Sequence, residues 1–90
     1  MHAIADELSV KRMVVFNGEG SLKAFCDLAI GEMFLIRGVR VIEGKQGLFV
    51  SMPRQQGKDG KWYETVAMLS KEVNTEVKKV VLEEYQIHVL

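Results

Sequence analysis

The residues of this 90-residue chain best suited to chemistry are basic ones gathered in its middle. Between Arg37 and Lys61 stand Arg37, Arg40, Lys45, Arg54, Lys58 and Lys61, opposed only by Glu43 and Asp59. Each flank is net acidic, so the whole chain has zero formal charge. That balance argues against a protein that coats nucleic acid by bulk charge, yet it leaves room for one localised positive face. Arg54, Lys58 and Lys61 cluster around one predicted hairpin, with Trp62 and Tyr63 beside them. Basic side chains neutralise phosphates, and exposed aromatic rings stack on unpaired bases. A plainer reading stands beside this one: the charges solvate an exposed hairpin and Trp62 faces the core.

Bond-making chemistry finds little support. His2 and His88 lie at opposite ends of the chain, so neither a Ser-His-Asp nor a Cys-His arrangement can be argued. Cys26, the one cysteine, alternates with Ala24 and Leu28 and reads as a small buried hydrophobe. A single cysteine excludes an intrachain disulfide and suits a reducing compartment. No His, Cys or carboxylate set has metal-ligand spacing, and Glu83-Glu84, adjacent on a helix, read as a solvated face. Gly18-x-Gly20 lacks the third glycine and the strand-to-helix context of a dinucleotide site. Gly44-Lys45-Gln46-Gly47 has the GxxG form of single-strand-binding KH loops, but it falls between strands and not between helices. Both are read as turns. The expectation is a protein that is not an enzyme and uses no cofactor or metal.

Short strands and one helix must position these residues. From Leu8 to Ala67 the sequence is rich in Val, Ile, Phe and Leu, broken by glycine-containing turns. Leu8 to Phe16 reads as a first strand, closed by the turn Asn17-Gly18-Glu19-Gly20, in which Asn17-Gly18 favours the positive φ of tight hairpins. Leu22, Ala24, Cys26, Leu28 and Ile30 alternate along a second strand with one buried face. Met33 to Ile42 is a third, with a bulge or bend expected at Gly38. Leu48 to Met52 is a fourth, stopped by Pro53. Asp59-Gly60 then turns the chain into a last strand, Lys61 to Ala67. From Ser70, a candidate N-cap, the apolar period lengthens to three and four through Val73, Val77, Val80, Val81 and Tyr85, which is helical. Ile87, Val89 and Leu90 receive no element.

Every inter-strand link is short enough for a hairpin and too short for a crossover helix. The predicted fold class is therefore α+β: an antiparallel sheet of four to five strands built from hairpins, with one C-terminal helix packed on it. Residues 1–90 make one domain, with 1–7 and 86–90 as loose ends. Hydrophobic residues make up 48% of the chain, enough for one core, although a domain this small gains from burial against a second copy. The acidic start, Asp6-Glu7, is unlike a signal peptide, and the longest apolar runs fall far short of a membrane span. A cytoplasmic protein without membrane contact is expected.

The segment Gly38-Val39-Arg40-Val41-Ile42-Glu43-Gly44-Lys45-Gln46-Gly47-Leu48-Phe49-Val50-Ser51-Met52-Pro53 resembles the central signature of the stage V sporulation protein G (SpoVG) family, roughly [IV]RVI[DE]GxxGLFVAMP. Gly20 to Ala24 fits that family's second strand. Asp59-Gly60 with a following aromatic fits its D-G-E-F hairpin, and Val81-Leu82-x-Glu84-Tyr85 fits the end of its helix. The resemblance runs from about Leu8 to Tyr85. It implies an α+β domain that dimerises through its sheet and acts in septation, sporulation or gene expression by binding DNA or RNA. After Met52-Pro53 the family usually carries Ser or Asn and then two basic residues. Here Gln55 and Gln56 hold those two places, with Arg54 before and Lys58 after them. Ala67-Met68 stands where the family has His-Pro, and Arg37 where it often has His.

Together these readings point to a homodimer that binds DNA or RNA with little sequence specificity. Its expected nucleic-acid-binding residues are Arg54, Lys58 and Lys61 on the hairpin, supported by Arg37 and Arg40. The single helix is acidic on its outer face and ill suited to the major groove, so contact falls to strands and loops. The competing class is a partner-binding adaptor, in which Gln55 and Gln56 mark lost nucleic-acid contacts.

Overall fold

The structure, a computed structural model, describes residues 7–90. His2 and most of the acidic start lie outside the described residues. Four strands form an antiparallel meander in sequence order: β1 (Leu8–Val15), β2 (Leu22–Ile30), β3 (Phe34–Gly44) and β4 (Gly47–Ser51). The expected hairpin topology is observed. β5 (Arg54–Gln56) and β6 (Trp62–Glu64) pair only with each other, as a separate two-stranded ribbon. The helix α1 (Lys71–Val89) closes the chain.

One face of the sheet is apolar because its strands alternate. Ala24, Cys26 and Leu28 of β2 stand opposite Val41, Val39 and Ile36 of β3, and all but the partly buried Ile36 are fully buried. Val77, Val81 and Tyr85 of α1 cover this face, with Val73 and Val80 packed at its margins. The valine-rich helix is stabilised by that packing, since valine is a weak helix former by itself. Ser70 is the N-cap: its backbone is extended, and its Oγ accepts the Val73 N–H at 3.2 Å.

Several local expectations need correction. Neither Asn17 nor Gly18 takes positive φ, so no tight primed turn forms there. The link from β1 to β2 is a wider loop, closed where the Phe16 N–H donates to the Lys23 carbonyl at 2.8 Å. The last strand spans only Trp62–Glu64: the next residue, Thr65, still donates its N–H to the Pro53 carbonyl, but Pro53 has no N–H with which to carry the ladder on. Leu22 leaves the buried face, because the register shifts between Leu22 and Ala24. The segment from 86 onward, expected to be loose, continues the helix to Val89.

The molecule is 23 Å across its short axis, the thickness of one sheet and one helix. Among the described residues no element packs on the second face of the sheet. Among the described residues no helix is long and apolar enough to cross a membrane.

Candidate nucleic-acid interface

The open face carries the arginines. Reading the register across it, Arg12 of β1 stands beside Asp27 of β2, which stands beside Arg37 of β3. The next row is Val14, Phe25, Arg40 and Ser51. Arg37 and Arg40 are three apart in sequence and share this face because Gly38, at φ +84°, is an inserted residue. The bulge resets the alternation, which returns Val39 to the core and Arg40 to the outside.

Met52 is buried just past the end of β4 and anchors the ribbon beyond it. The Pro53 carbonyl accepts from the Thr65 N–H at 3.0 Å and from its Oγ1 at 3.3 Å, which ties the base of the ribbon. Arg54 thereby lands at the margin of the sheet, where it joins the two strand arginines. Phe16, Leu22, Phe25, Arg37, Gly38, Arg40, Pro53 and Arg54 line one open cavity of about 590 Å³. The rings of Phe16 and Phe25 meet at 5.4 Å with a 43° tilt. The Arg12 guanidinium lies 5.9 Å from the Phe25 centroid, a cation–π distance.

Lys58 and Lys61 sit elsewhere, on the turn of the ribbon. The Gly57 N–H donates to the Lys61 carbonyl at 2.8 Å, and the Gly60 N–H to the Gly57 carbonyl at 3.1 Å. Gly60 takes φ +82°, as Asp59-Gly60 foretells. Asp59 fastens this turn by accepting the Lys61 N–H at 3.0 Å and the Tyr63 hydroxyl at 2.5 Å. The Tyr63 hydroxyl and then the Lys61 amide hold the Asp59 carboxyl below its usual range, and the same bond holds the Tyr63 phenol above its own. Gln55 and Gln56 separate this turn from Arg54, a rise of about 10 Å from Arg54 to Gly57.

The five residues named from sequence thus fall into two groups, Arg37, Arg40 and Arg54 around the cavity and Lys58 with Lys61 at the ribbon tip. Arg54 belongs with the sheet, not with the tip. All five are exposed, and among the described residues none lies within 4 Å of a carboxylate. The acids of the basic segment are engaged elsewhere, Glu43 with Lys23 at 3.8 Å and Asp59 in its own turn. Glu64, opposite Arg54 in register, lines a different cavity with Met68, Ser70 and Lys71. Trp62 is 60% exposed and does not face the core. By register it shares a ribbon face with Gln56 and Arg54.

Arg12, Phe16 and Phe25 were not singled out from sequence. Arg12 lies far from the basic segment along the chain, and a register shift between Val10 and Arg12 sets which face it occupies. Cys26 is buried, and burial first, then the Asp27 and Glu84 charges, push its thiol up to about 11. It stays protonated near neutral pH, as a buried apolar residue does.

These features define a small two-layer α+β domain with an open arginine face and a basic ribbon. The SpoVG family model matches residues 6–87. A protein named "Putative septation protein SpoVG" in Archaeoglobus fulgidus is 34% identical over 80 residues, 89% of this chain and 94% of the relative. The protein of the same name in Myxococcus xanthus is 34% identical over 70 residues, 78% of this chain and 71% of its own. "Putative septation protein SpoVG 2" of Listeria monocytogenes is 32% identical over 68 residues, 76% and 67% of the two chains. The chain belongs to the SpoVG family.

Proposed function

We propose that the protein is a SpoVG-type regulator that binds DNA or RNA through its arginine face and basic ribbon, with low sequence specificity and as a homodimer. Its binding would influence septation, sporulation or gene expression, and the names of its relatives support septation. One observation carries the binding reading. Arg37, Arg40 and Arg54 converge on one cavity, exposed and free of carboxylate partners among the described residues. Phosphate contact fixes position without reading sequence, and α1 packs its apolar side on the sheet.

The dimer is assigned to the free edge of β1. Among the described residues β1, like β4, pairs on one side only, and the groove between β1 and α1 is lined by Leu8, Val10, Val80 and Ile87 together with Lys79, Glu83 and Glu84. Ile87 is 64% exposed there. Joining at this edge leaves the arginine face open.

Fluorescence anisotropy with a mixed-sequence oligonucleotide tests the reading. If the five named residues each neutralise one phosphate, affinity falls on the order of 100-fold for a single strand, or about 500-fold for a duplex, between about 50 and 200 mM salt. Absence of binding at the lower salt, with the fold intact, overturns it and favours the adaptor that Gln55 and Gln56 suggest.

A further inference from the structure

We propose that the cavity on the open sheet face is a subsite for one unpaired nucleobase, so that the protein prefers single-stranded to duplex nucleic acid. This rests on the nucleic-acid reading above and adds the form of the ligand. Polyanion binding requires only cations, and the ribbon tip supplies those. The cavity contains something more: two phenylalanine rings in contact, between Arg37, Arg40 and Arg54. Phe16 keeps 38% of its surface exposed. Among the described residues nothing covers this apolar patch.

The surroundings of the patch choose the occupant. A second copy placed face to face would bring Arg12, Arg37, Arg40 and Arg54 against the same four charges, with Asp27 and, opposite Arg54, Glu64 the acids of those rows among the described residues. Like charges so opposed are repulsive, which disfavours that packing. A duplex offers phosphates to the arginines but keeps its bases stacked on one another, leaving the rings unpartnered. A single strand supplies both parts, an aromatic plane for Phe16 and Phe25 and flanking phosphates for the arginines. The volume, about 590 Å³, lies within the range of small-ligand sites. Arg12, lying over Phe25, adds positive charge at the far margin of the patch. Trp62, on the ribbon face shared with Arg54, gives a neighbouring base a second ring.

Three probes of equal length separate this claim from phosphate binding alone: a single strand, its abasic sugar-phosphate backbone, and the matching duplex. Measured by anisotropy at constant salt, wild-type protein should bind the single strand at least about fivefold more tightly than the abasic backbone, the lower bound for stacking one base. It should also prefer the single strand to the duplex. Phe16→Ala should abolish the preference of the protein for the single strand over the abasic backbone. Phe25→Leu, which keeps the apolar bulk, should reduce that preference too. Equal affinity of wild-type protein for all three probes overturns the base subsite while the polyanion reading survives, and that result depends on no variant folding. Failure to bind any probe at low salt overturns both.

Discussion

Arg37 and Arg40 stand side by side on the open face of the sheet because Gly38 between them is an extra residue in β3. In a regular strand, residues three apart point to opposite sides. Here Arg37 pairs with Asp27 and Val39 with Cys26, so β3 uses three residues where β2 uses two. The insertion lets one strand supply both a buried valine and two outward guanidinium groups. Its geometric requirement is the φ of +84° at Gly38.

Gly38→Ala should therefore cost about 1–3 kcal/mol, the penalty of holding an L-residue in the left-handed region. Among the described residues, apart from its chain neighbours, no heavy atom lies within 4 Å of an added Cβ, so the loss is one of backbone conformation and not of crowding. Urea denaturation measures the stability, and anisotropy should show weaker oligonucleotide binding as the arginines shift apart. An unchanged unfolding midpoint would mean that β3 accommodates the methyl group without its bulge.

At the ribbon tip, Lys58→Ala and Lys61→Ala should each lower the slope of log affinity against log salt by about one contact. Both side chains are exposed and neither is in an ion pair among the described residues, so stability should change by no more than about 0.5 kcal/mol. A loss of affinity with an unaltered slope would show that these lysines do not meet phosphates.

The turn itself titrates. The folded carboxyl of Asp59 lies below its usual range, so its contribution is present above the ordinary carboxylate pKa and is lost as pH falls through the lowered value. The Tyr63 phenol is raised, so its contribution is present below the ordinary phenol pKa and is lost as pH rises through the raised value. Neutral pH lies between these limits, where ionised Asp59 accepts from neutral Tyr63. Tyr63→Phe removes the principal cause, and an NMR titration of the carboxyl carbons should place Asp59 closer to its usual value. An unmoved Asp59 would assign the shift to the Lys61 amide instead.

The meander and its buried face were legible because alternation in Ala24, Cys26 and Leu28, and the three-four period of Val73, Val77 and Val81, have a single physical meaning each. Asp59-Gly60 told its turn correctly because Gly60 alone needs positive φ there. Asn17-Gly18 failed for the complementary reason: the dipeptide permits a tight turn without enforcing one, and the link closes at Phe16 and Lys23 instead. The basic residues were found by type, whereas their grouping was not. Arg54 looked like a tip residue by sequence distance from Lys58, and only the tie between Pro53 and Thr65 places it at the sheet. Arg12 and Phe25 lie on different strands, and each strand's register shifts nearby, so counting along the chain could not bring them together.

Ile87→Glu probes the proposed dimer edge. Ile87 is the exposed apolar residue of the groove between β1 and α1, which Glu83 and Glu84 also line, so a further carboxylate there would place an unpaired, desolvated charge in the contact. Sedimentation equilibrium should show a dimer for the wild-type chain and a monomer for the variant. The far-ultraviolet circular dichroism should be unchanged, since the position faces solvent within one copy. A variant that remains dimeric would move the interface away from this edge.

The packing of α1 can be dissected by comparing neighbouring valines. Val81 is fully buried against the sheet, whereas Val80 is only partly buried beside it. Removing two carbons from a closed core forfeits their transfer free energy and leaves a cavity, so Val81→Ala should cost about 1–3 kcal/mol. Val80→Ala should cost less, because water can fill the space and alanine is the better helix former. Against a total stability of about 5–15 kcal/mol, the Val81 variant loses a substantial share. Because α1 covers the inner face and the arginines occupy the outer one, that loss should leave the low-salt affinity of the folded fraction unchanged. Equal destabilisation by the two substitutions would show that α1 does not press its stripe on the sheet in the orientation described.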